Sequence, residues 1–430
     1  MNTVRKSSQD KVNRLFSHLE FDGKQLNHQP GSVLGSTALI AGTTIGAGIL
    51  ALPAVTLPSG VVPSTFLLIT VWLYTLFSGL LIAEVTLNAM RLEGLANIGF
   101  LGIVEKTLGK LGARIAGGAY LFMHYALLVA YITQGGDILL SVLVKVAGLK
   151  QVLPSWLGTT IFTLLFGGMM YLGRERFIQK LNSAFVAIVI AAFFGLLLIG
   201  SSQVKTTQFL FQDWTALGSA ISVMFVALFY HNIIPVVVTQ LEGDVAKIRQ
   251  SLIIGSVIPL IMFLAWNAVI LGSVSPDMLK NNTVFDPLQI LRAGGAGELL
   301  AMLVSIFSEF AIITSFIGFV YGLLDLFKDI SLITKSITSR LPLYSLVLLP
   351  PMSLGTMNPS IFFVALDYTG TLSFSVLGVL IPAVMSWKQH QRLELINSHN
   401  QRLFPGGKIT LIIMIFLGLA LIVKQIFSII

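Results

Sequence analysis

The sequence predicts an all-α polytopic membrane protein of about eleven transmembrane helices: two inverted groups of five and one extra span. Three observations carry this reading. The 430 residues are 55% hydrophobic and 11% charged, with a mean hydropathy of +0.87. Apolar runs recur at the length of about 20 residues that a helix needs to cross hydrocarbon, without the alternation of a membrane β-barrel. The first run in each group of five is also interrupted at a corresponding place, the mark of a discontinuous helix repeated in two halves.

Taken in order, residues 1–31 form a polar tail in which Asp10, Glu20 and Asp22 stand among the basic residues. The tail is too long and too acidic for the basic start of a signal peptide, and it reads as cytoplasmic and partly disordered. Spans follow at 32–58, 61–90, 114–144, 155–172 and 177–200, a first repeat over 32–200. The second repeat, 215–387, holds spans at 215–241, 250–273, 298–325, 341–357 and 360–386. A peripheral eleventh span, 408–428, lies in the terminal segment 408–430. Pro53, Pro63, Pro235, Pro259, Pro350 and Pro382 fall inside spans, where neighbouring helices can satisfy the backbone groups that proline frees.

Of the 27 Lys and Arg residues, 21 lie on one side of this arrangement, the side of the N-terminal tail. Basic excess marks the cytoplasmic side, so the N-terminus is expected inside and, with an odd number of spans, the C-terminus outside. The formal charge of +8 is thus a topology signal and needs no nucleic acid to explain it. The absence of cysteine excludes disulfides, thiol catalysis and thiolate metal sites.

The first break is Gly42-Thr43-Thr44-Ile45-Gly46-Ala47-Gly48, the second Phe229-Tyr230-His231-Asn232-Ile233-Ile234-Pro235. Each glycine costs a helix about 1 kcal/mol relative to alanine. Small residues also make helix-packing faces, but the matched second break favours a ligand site. A broken helix exposes N–H groups at one new end and carbonyls at the other. The N–H end suits a carboxylate and the carbonyl end an ammonium, so the pair fits a zwitterion. The N–H groups of Gly46, Ala47 and Gly48 would meet the carboxylate. Carbonyls around Ala41 to Thr43, with the Thr43 and Thr44 hydroxyls, would meet the amine. Phe229, Tyr230, His231 and Asn232 would cover the ligand's side chain.

The stretch Ile45-Gly46-Ala47-Gly48-Ile49-Leu50-Ala51-Leu52-Pro53 resembles the first-span signature of bacterial aromatic amino-acid (tryptophan/tyrosine) permeases, within the amino acid–polyamine–organocation superfamily. Ile82-Ala83-Glu84-Val85, Thr107-Leu108-Gly109, and His231 before Pro235 continue the likeness. So do Gly255-Ser256-Val257-Ile258-Pro259-Leu260, Trp266, Leu271-Gly272-Ser273, Phe307-Ser308, Ser315-Phe316, Gly322-Leu323-Leu324-Asp325 and Ile381-Pro382-Ala383. The resemblance spans nearly the whole chain. It implies the five-plus-five, LeuT-like inverted-repeat fold with discontinuous helices 1 and 6, in a bacterial inner membrane. It further implies proton-coupled import of tyrosine or tryptophan by alternating access. Two departures flank the first break: Ile49 stands where methionine is usual, and the small residue–glycine pair Ser59-Gly60 comes two residues late. Residues 42–64 look closer to the cyanobacterial and plastid branch.

Ionisable residues inside spans are costly and therefore functional candidates. Glu309, near the middle of the eighth span, is the leading candidate for proton coupling. His231 joins it, since an imidazole changes charge near neutral pH. Glu84 is a third candidate, near a span end where a salt bridge serves equally well. His124 reads as a satisfied core histidine. Against protons stands sodium: Ala311, Thr314 and Ser315 share one helix face and resemble a site in sodium-coupled relatives of this fold, completed by carbonyls of the first break. No cofactor is implied. An ion channel would need a continuous pore lining, which is not visible. An enzyme or ATP-driven pump would need motifs such as H-E-x-x-H or a P-loop, which are not present. An amino-acid sensor that does not transport, or a carrier of other neutral amino acids, stays open.

Overall fold

The computed structural model describes residues 19–21, 26–28, 31–46, 48–93, 99–148, 153–273, 297–334, 340–358, 361–395, 403 and 407–429. Helices dominate: α1 Val33–Thr44, α2 Gly48–Thr56, α3 Val61–Glu93 and α4 Phe100–Ala147. Next come α5 Ser155–Leu172, α6 Glu175–Ser201, α7 Ile221–Ala227, α8 Ile234–Gln240 and α9 Val245–Ser273. The order closes with α10 Glu298–Thr334, α11 Arg340–Met357, α12 Phe362–Tyr368, α13 Ile381–Leu395 and α14 Lys408–Ile429. Two π-helical turns, Thr369–Ser373 and Ser375–Leu380, join α12 to α13, and another, Thr163–Gly167, lies within α5.

Helix occupies the greater part of each of the eleven expected stretches among the described residues. Among the described residues, eight helices are long and apolar enough to cross a membrane, or nine when α1 and α2 count as one bent span. The chain is thus a helical, multi-pass membrane protein. Two details depart from the sequence expectation. The tail contains a short antiparallel hairpin, β1 Leu19–Phe21 with β2 Leu26–His28, with Leu19 opposite His28. The expected loop before residue 114 is instead a helical extension of α4, set off by Gly109 at φ 80°. Charged helix formers such as Glu105, Lys106 and Lys110 suit a helix but leave no apolar run to find.

The prolines show how this sequence keeps buried backbone satisfied. A proline at position i removes the N–H that would bond the carbonyl at i−4. Pro53 orphans the Ile49 carbonyl, and the Trp266 indole N–H of α9 bonds it at 3.1 Å. Pro350 orphans the Leu346 carbonyl, and the Tyr125 hydroxyl of α4 bonds it at 2.7 Å. Pro382 orphans the Gly378 carbonyl, and the Ser78 hydroxyl of α3 donates to it. Each kink is thereby tied to a neighbouring helix.

Two groups of helices face each other. The α9 helix packs on α1 and α3, α2 packs on α7, and α3 packs on α8. Opposite them, α4 packs on α5, α10 and α11, while α10 also packs on α6. The α12–α13 stretch touches both groups, with its first π turn against α7 and α4. Between α6 and α7, Asp213 caps the 3-10 turn Trp214–Ser219 through Thr215 Oγ1 (2.6 Å) and its N–H (2.8 Å). Those bonds hold the exposed Asp213 carboxyl below its usual range. The Asp213 N–H donates to the Ser59 carbonyl at 2.9 Å, seating this segment on the turn after α2.

Candidate functional site

The first break forms because Ile45 leaves the helix (φ −78°, ψ 91°) after its N–H closes on the Ala41 carbonyl at 2.8 Å. That carbonyl, one of those expected to meet an amine, is therefore already engaged. The chain restarts as α2 with the Ile49 N–H on the Gly46 carbonyl at 3.3 Å, and the two half-helices meet at 53°. The Thr43 and Thr44 hydroxyls donate back to the Leu39 and Ile40 carbonyls, both at 2.8 Å. Each hydroxyl has one proton, so toward a ligand these two oxygens are acceptors, as an ammonium requires.

Two glycines fix how closely neighbours approach the break. A Cβ on Gly46 would lie 2.7 Å from Ser315 Oγ of α10. One on Gly48 would lie 2.9 Å from the Ala227 Cα and 3.2 Å from its Cβ. The first break thus packs directly against the end of α7, just before the second break.

In the second break, α7 ends at Ala227 and Phe229 still bonds Val226 at 3.2 Å. Tyr230 then turns out (φ −138°, ψ 12°), His231–Ile233 make one 3-10 turn, and α8 begins with Pro235 in its first turn. Pro fits there because the N–H it lacks would have no helical partner.

Between the breaks lies a partly open cavity, with about 460 Å³ of space free of protein atoms when the part open to solvent is counted. It is lined by Thr43, Thr44, Gly46, Gly48, Met123, Leu127, Tyr131, Val226, Ala227, Phe229, Ser315, Phe319, Thr369 and Phe374. Hydroxyls and glycine backbone make one part of the wall, and aromatic and aliphatic side chains the rest. No charged side chain is among these residues, so a charged ligand here would be held by backbone dipoles and hydroxyls.

Of the residues expected from sequence, Thr43, Thr44, Gly46, Gly48 and Phe229 line this cavity, and Ser315 joins them. Ala47 lies outside the described residues. Tyr230, His231 and Asn232 do not line it, because a tight 3-10 turn points successive side chains in different directions. Tyr230 and His231 are completely buried. The His231 ring stacks on Phe229 (5.1 Å, 19°) and meets Phe374 edge-on (5.4 Å, 88°). Neither His231 ring nitrogen has a hydrogen-bond partner among the described residues. Asn232 is hydrogen-bonded to the Tyr120 hydroxyl of α4.

The other candidates also fall outside the lining. Glu309 is half-buried on α10, about 9 Å along the helix axis from Ser315. Ala311 is buried, and the Thr314 hydroxyl bonds the Ala311 carbonyl at 3.0 Å. Glu84 Oε1 is 2.8 Å from His390 Nε2 of α13, and Oε2 accepts the Leu403 N–H at 2.9 Å. His124 is a packed core residue, its Nδ1 on the Tyr120 carbonyl at 2.9 Å and its ring against Tyr120 and Phe319. Sequence reasoning missed Tyr131, Phe319, Thr369 and Phe374. Nothing separates these from the other hydroxyl and aromatic residues of a chain with 29 Phe in all, until the helices are assembled.

A polytopic helical protein with a small-solute cavity where two interrupted helices meet has the architecture of a secondary transporter. Residues 29–424 match the tryptophan/tyrosine permease family, and the chain belongs to it. It is 31% identical to the tyrosine-specific transport system 1 of Haemophilus influenzae, over 90% of this chain and 94% of that one. The tryptophan-specific transport protein of the same organism is 28% identical over 92% and 96%. The glutamine transporter 2 of Aliivibrio fischeri is 24% identical over 92% and 99%. These relatives are transport proteins, not enzymes.

Proposed function

We propose that the protein imports an aromatic amino acid, tyrosine or tryptophan, by proton-coupled symport through alternating access. The observation that carries this is the cavity itself. It joins the hydroxyl and backbone groups of the first break to an aromatic wall of Phe229, Phe374, Tyr131 and Phe319. That combination suits a zwitterionic head and a flat apolar side chain. The specificities named for the tyrosine and tryptophan relatives agree with it, and the glutamine transporter among the similar proteins is the reason to test other neutral amino acids.

In this reading there are eleven spans, with the N-terminus in the cytoplasm and the C-terminus outside. The broken spans α1–α2 and α7–α8 begin two inverted repeats, 32–200 and 215–387, and α14 stands apart. The packing of α1, α2, α3, α7, α8 and α9 together, against α4, α5, α10 and α11, supports a moving bundle and a fixed scaffold. Ala47 completes the carboxylate site with Gly46 and Gly48. Glu309, His231 and Glu84 are the groups available to carry a proton. Tyr230, His231 and Asn232 act from behind Phe229 and set its position.

A sodium-coupled reading has one specific observation in its favour. Ser315, on the helix face it shares with Ala311 and Thr314, lies directly against Gly46 at the first break. The deciding experiment is uptake of radiolabelled tyrosine and tryptophan into proteoliposomes under imposed proton or sodium gradients, with neutral amino acids as competitors. Accumulation should follow the proton gradient in the wild type and be lost in Glu309→Gln. Accumulation that follows sodium and ignores pH overturns proton coupling. No accumulation of any amino acid overturns transport.

A further inference from the structure

Two lining residues, Thr369 and Phe374, come from a part of the chain that the two breaks do not include. They sit five residues apart. In an α-helix that spacing turns side chains about 140° from one another, so only one of them could face the cavity. Here the backbone is a π turn, and the Phe374 N–H donates to the Thr369 carbonyl five residues back. The wider turn brings both residues round to one side, and both line the cavity. Single π turns inside helices are frequent at functional sites.

The turn is braced where it approaches α7. Gly370 lies so close to the Ser222 carbonyl that no side chain fits there, and the Ser222 and Thr371 hydroxyls are 2.7 Å apart. Phe374 is thereby held face-on to Phe225 (4.3 Å, 17°) and edge-on to Phe229 (5.9 Å, 78°). Phe374 and Phe229 form a right-angled corner of two rings; both line the cavity, Phe374 with only 2% of its surface exposed. A third ring entering it can take edge-to-face and offset-stacked contacts together, the two arrangements that aromatic pairs prefer.

We propose that this π turn makes Phe374 a specificity-determining residue: it completes, with Phe229, an aromatic corner that selects substrates carrying a ring over aliphatic ones of equal bulk. The inference rests on the reading of the cavity as an amino-acid site.

The test compares phenylalanine with cyclohexylalanine, which has the same outline without the π system, as competitors of labelled tyrosine uptake in wild type, Phe374→Leu and Phe374→Tyr. The wild type should favour phenylalanine by more than the roughly 2- to 10-fold that one aromatic pair is worth. Phe374→Leu should lower that preference by Phe374's share, roughly 2- to 10-fold, and Phe374→Tyr should keep it. A preference unchanged in Phe374→Leu overturns the inference and leaves the transport reading standing. Equal weakening of both competitors means that Phe374 only fills space, and also overturns it. If Phe374→Leu does not fold, a wild type and Phe374→Tyr that both fail to distinguish the two competitors overturn it equally. Failure of the wild type to take up any amino acid overturns the functional reading and this inference with it.

Discussion

Gly48→Ala tests whether the two broken helices must touch for the site to work. The added methyl carbon would stand 2.9 Å from the Ala227 Cα and 3.2 Å from its Cβ. Neither atom is the free end of a flexible side chain, so relief requires α2 to move away from α7. Overpacking of this kind costs about 1–3 kcal/mol. Borne by the closed, ligand-holding arrangement, that weakens binding by roughly 5- to 150-fold. Gly42→Ala is the control, because a Cβ there meets nothing within 4 Å and alanine suits a helix better than glycine. The assay is equilibrium binding of labelled tyrosine to detergent-purified protein, with thermal melts of both variants. Gly48→Ala should bind markedly more weakly and Gly42→Ala about as well as the wild type. Equal affinity in all three proteins would refute the argument that contact between the breaks shapes the site.

Three further outcomes follow from the contacts described. Gly60→Ala should lower thermal stability by more than the 1–2 kcal/mol that a left-handed φ costs an L-residue, because Gly60 sits at φ 83° with the Phe211 carbonyl against it; a melting temperature equal to wild type contradicts this. Trp266→Phe removes the indole donor that stands in for the N–H missing at Pro53, so a stability loss of about 1–3 kcal/mol is expected in denaturant titration. Glu84→Gln weakens the charge-assisted bonds to His390 and the Leu403 N–H. It should cost about 1.5–3 kcal/mol while substrate exchange in counterflow persists, and an unchanged melt shows that these bonds carry no weight.

Much of the scaffold is legible in the sequence because lipid imposes simple rules. Apolar runs give the helices, and three glycines with two threonines give the first break. Pro53 and Trp266 both belong to the resemblance, yet only the assembled helices show that one supplies what the other removes. The second break is legible as a break but not in its facing. Phe229, Tyr230, His231 and Asn232 are equally polar or aromatic on paper, and a single 3-10 turn sends Phe229 to the cavity and His231 behind it. Phe374 is harder still, since an α-helical reading of the tenth span turns it away from Thr369. Glu84 illustrates a different barrier: its partner His390 is 306 residues away, and no local pattern joins them.

The α9 helix lies against both halves of the first break. On one side, Gly255 is in close contact with Ile40 and the Thr37 carbonyl of α1; on the other, Trp266 grips the Ile49 carbonyl of α2. The two grips are about 16 Å apart along α9. A fracture splinted in this way is a rigid elbow and not a hinge. Although Gly42–Gly48 interrupts its span, α1, α2 and α9 are tied into one unit. Under the proposed alternating access, the flexing that opens a path to the cavity would belong at the far ends of that unit, such as the turn around Ser59-Gly60, and not at the glycines of the break.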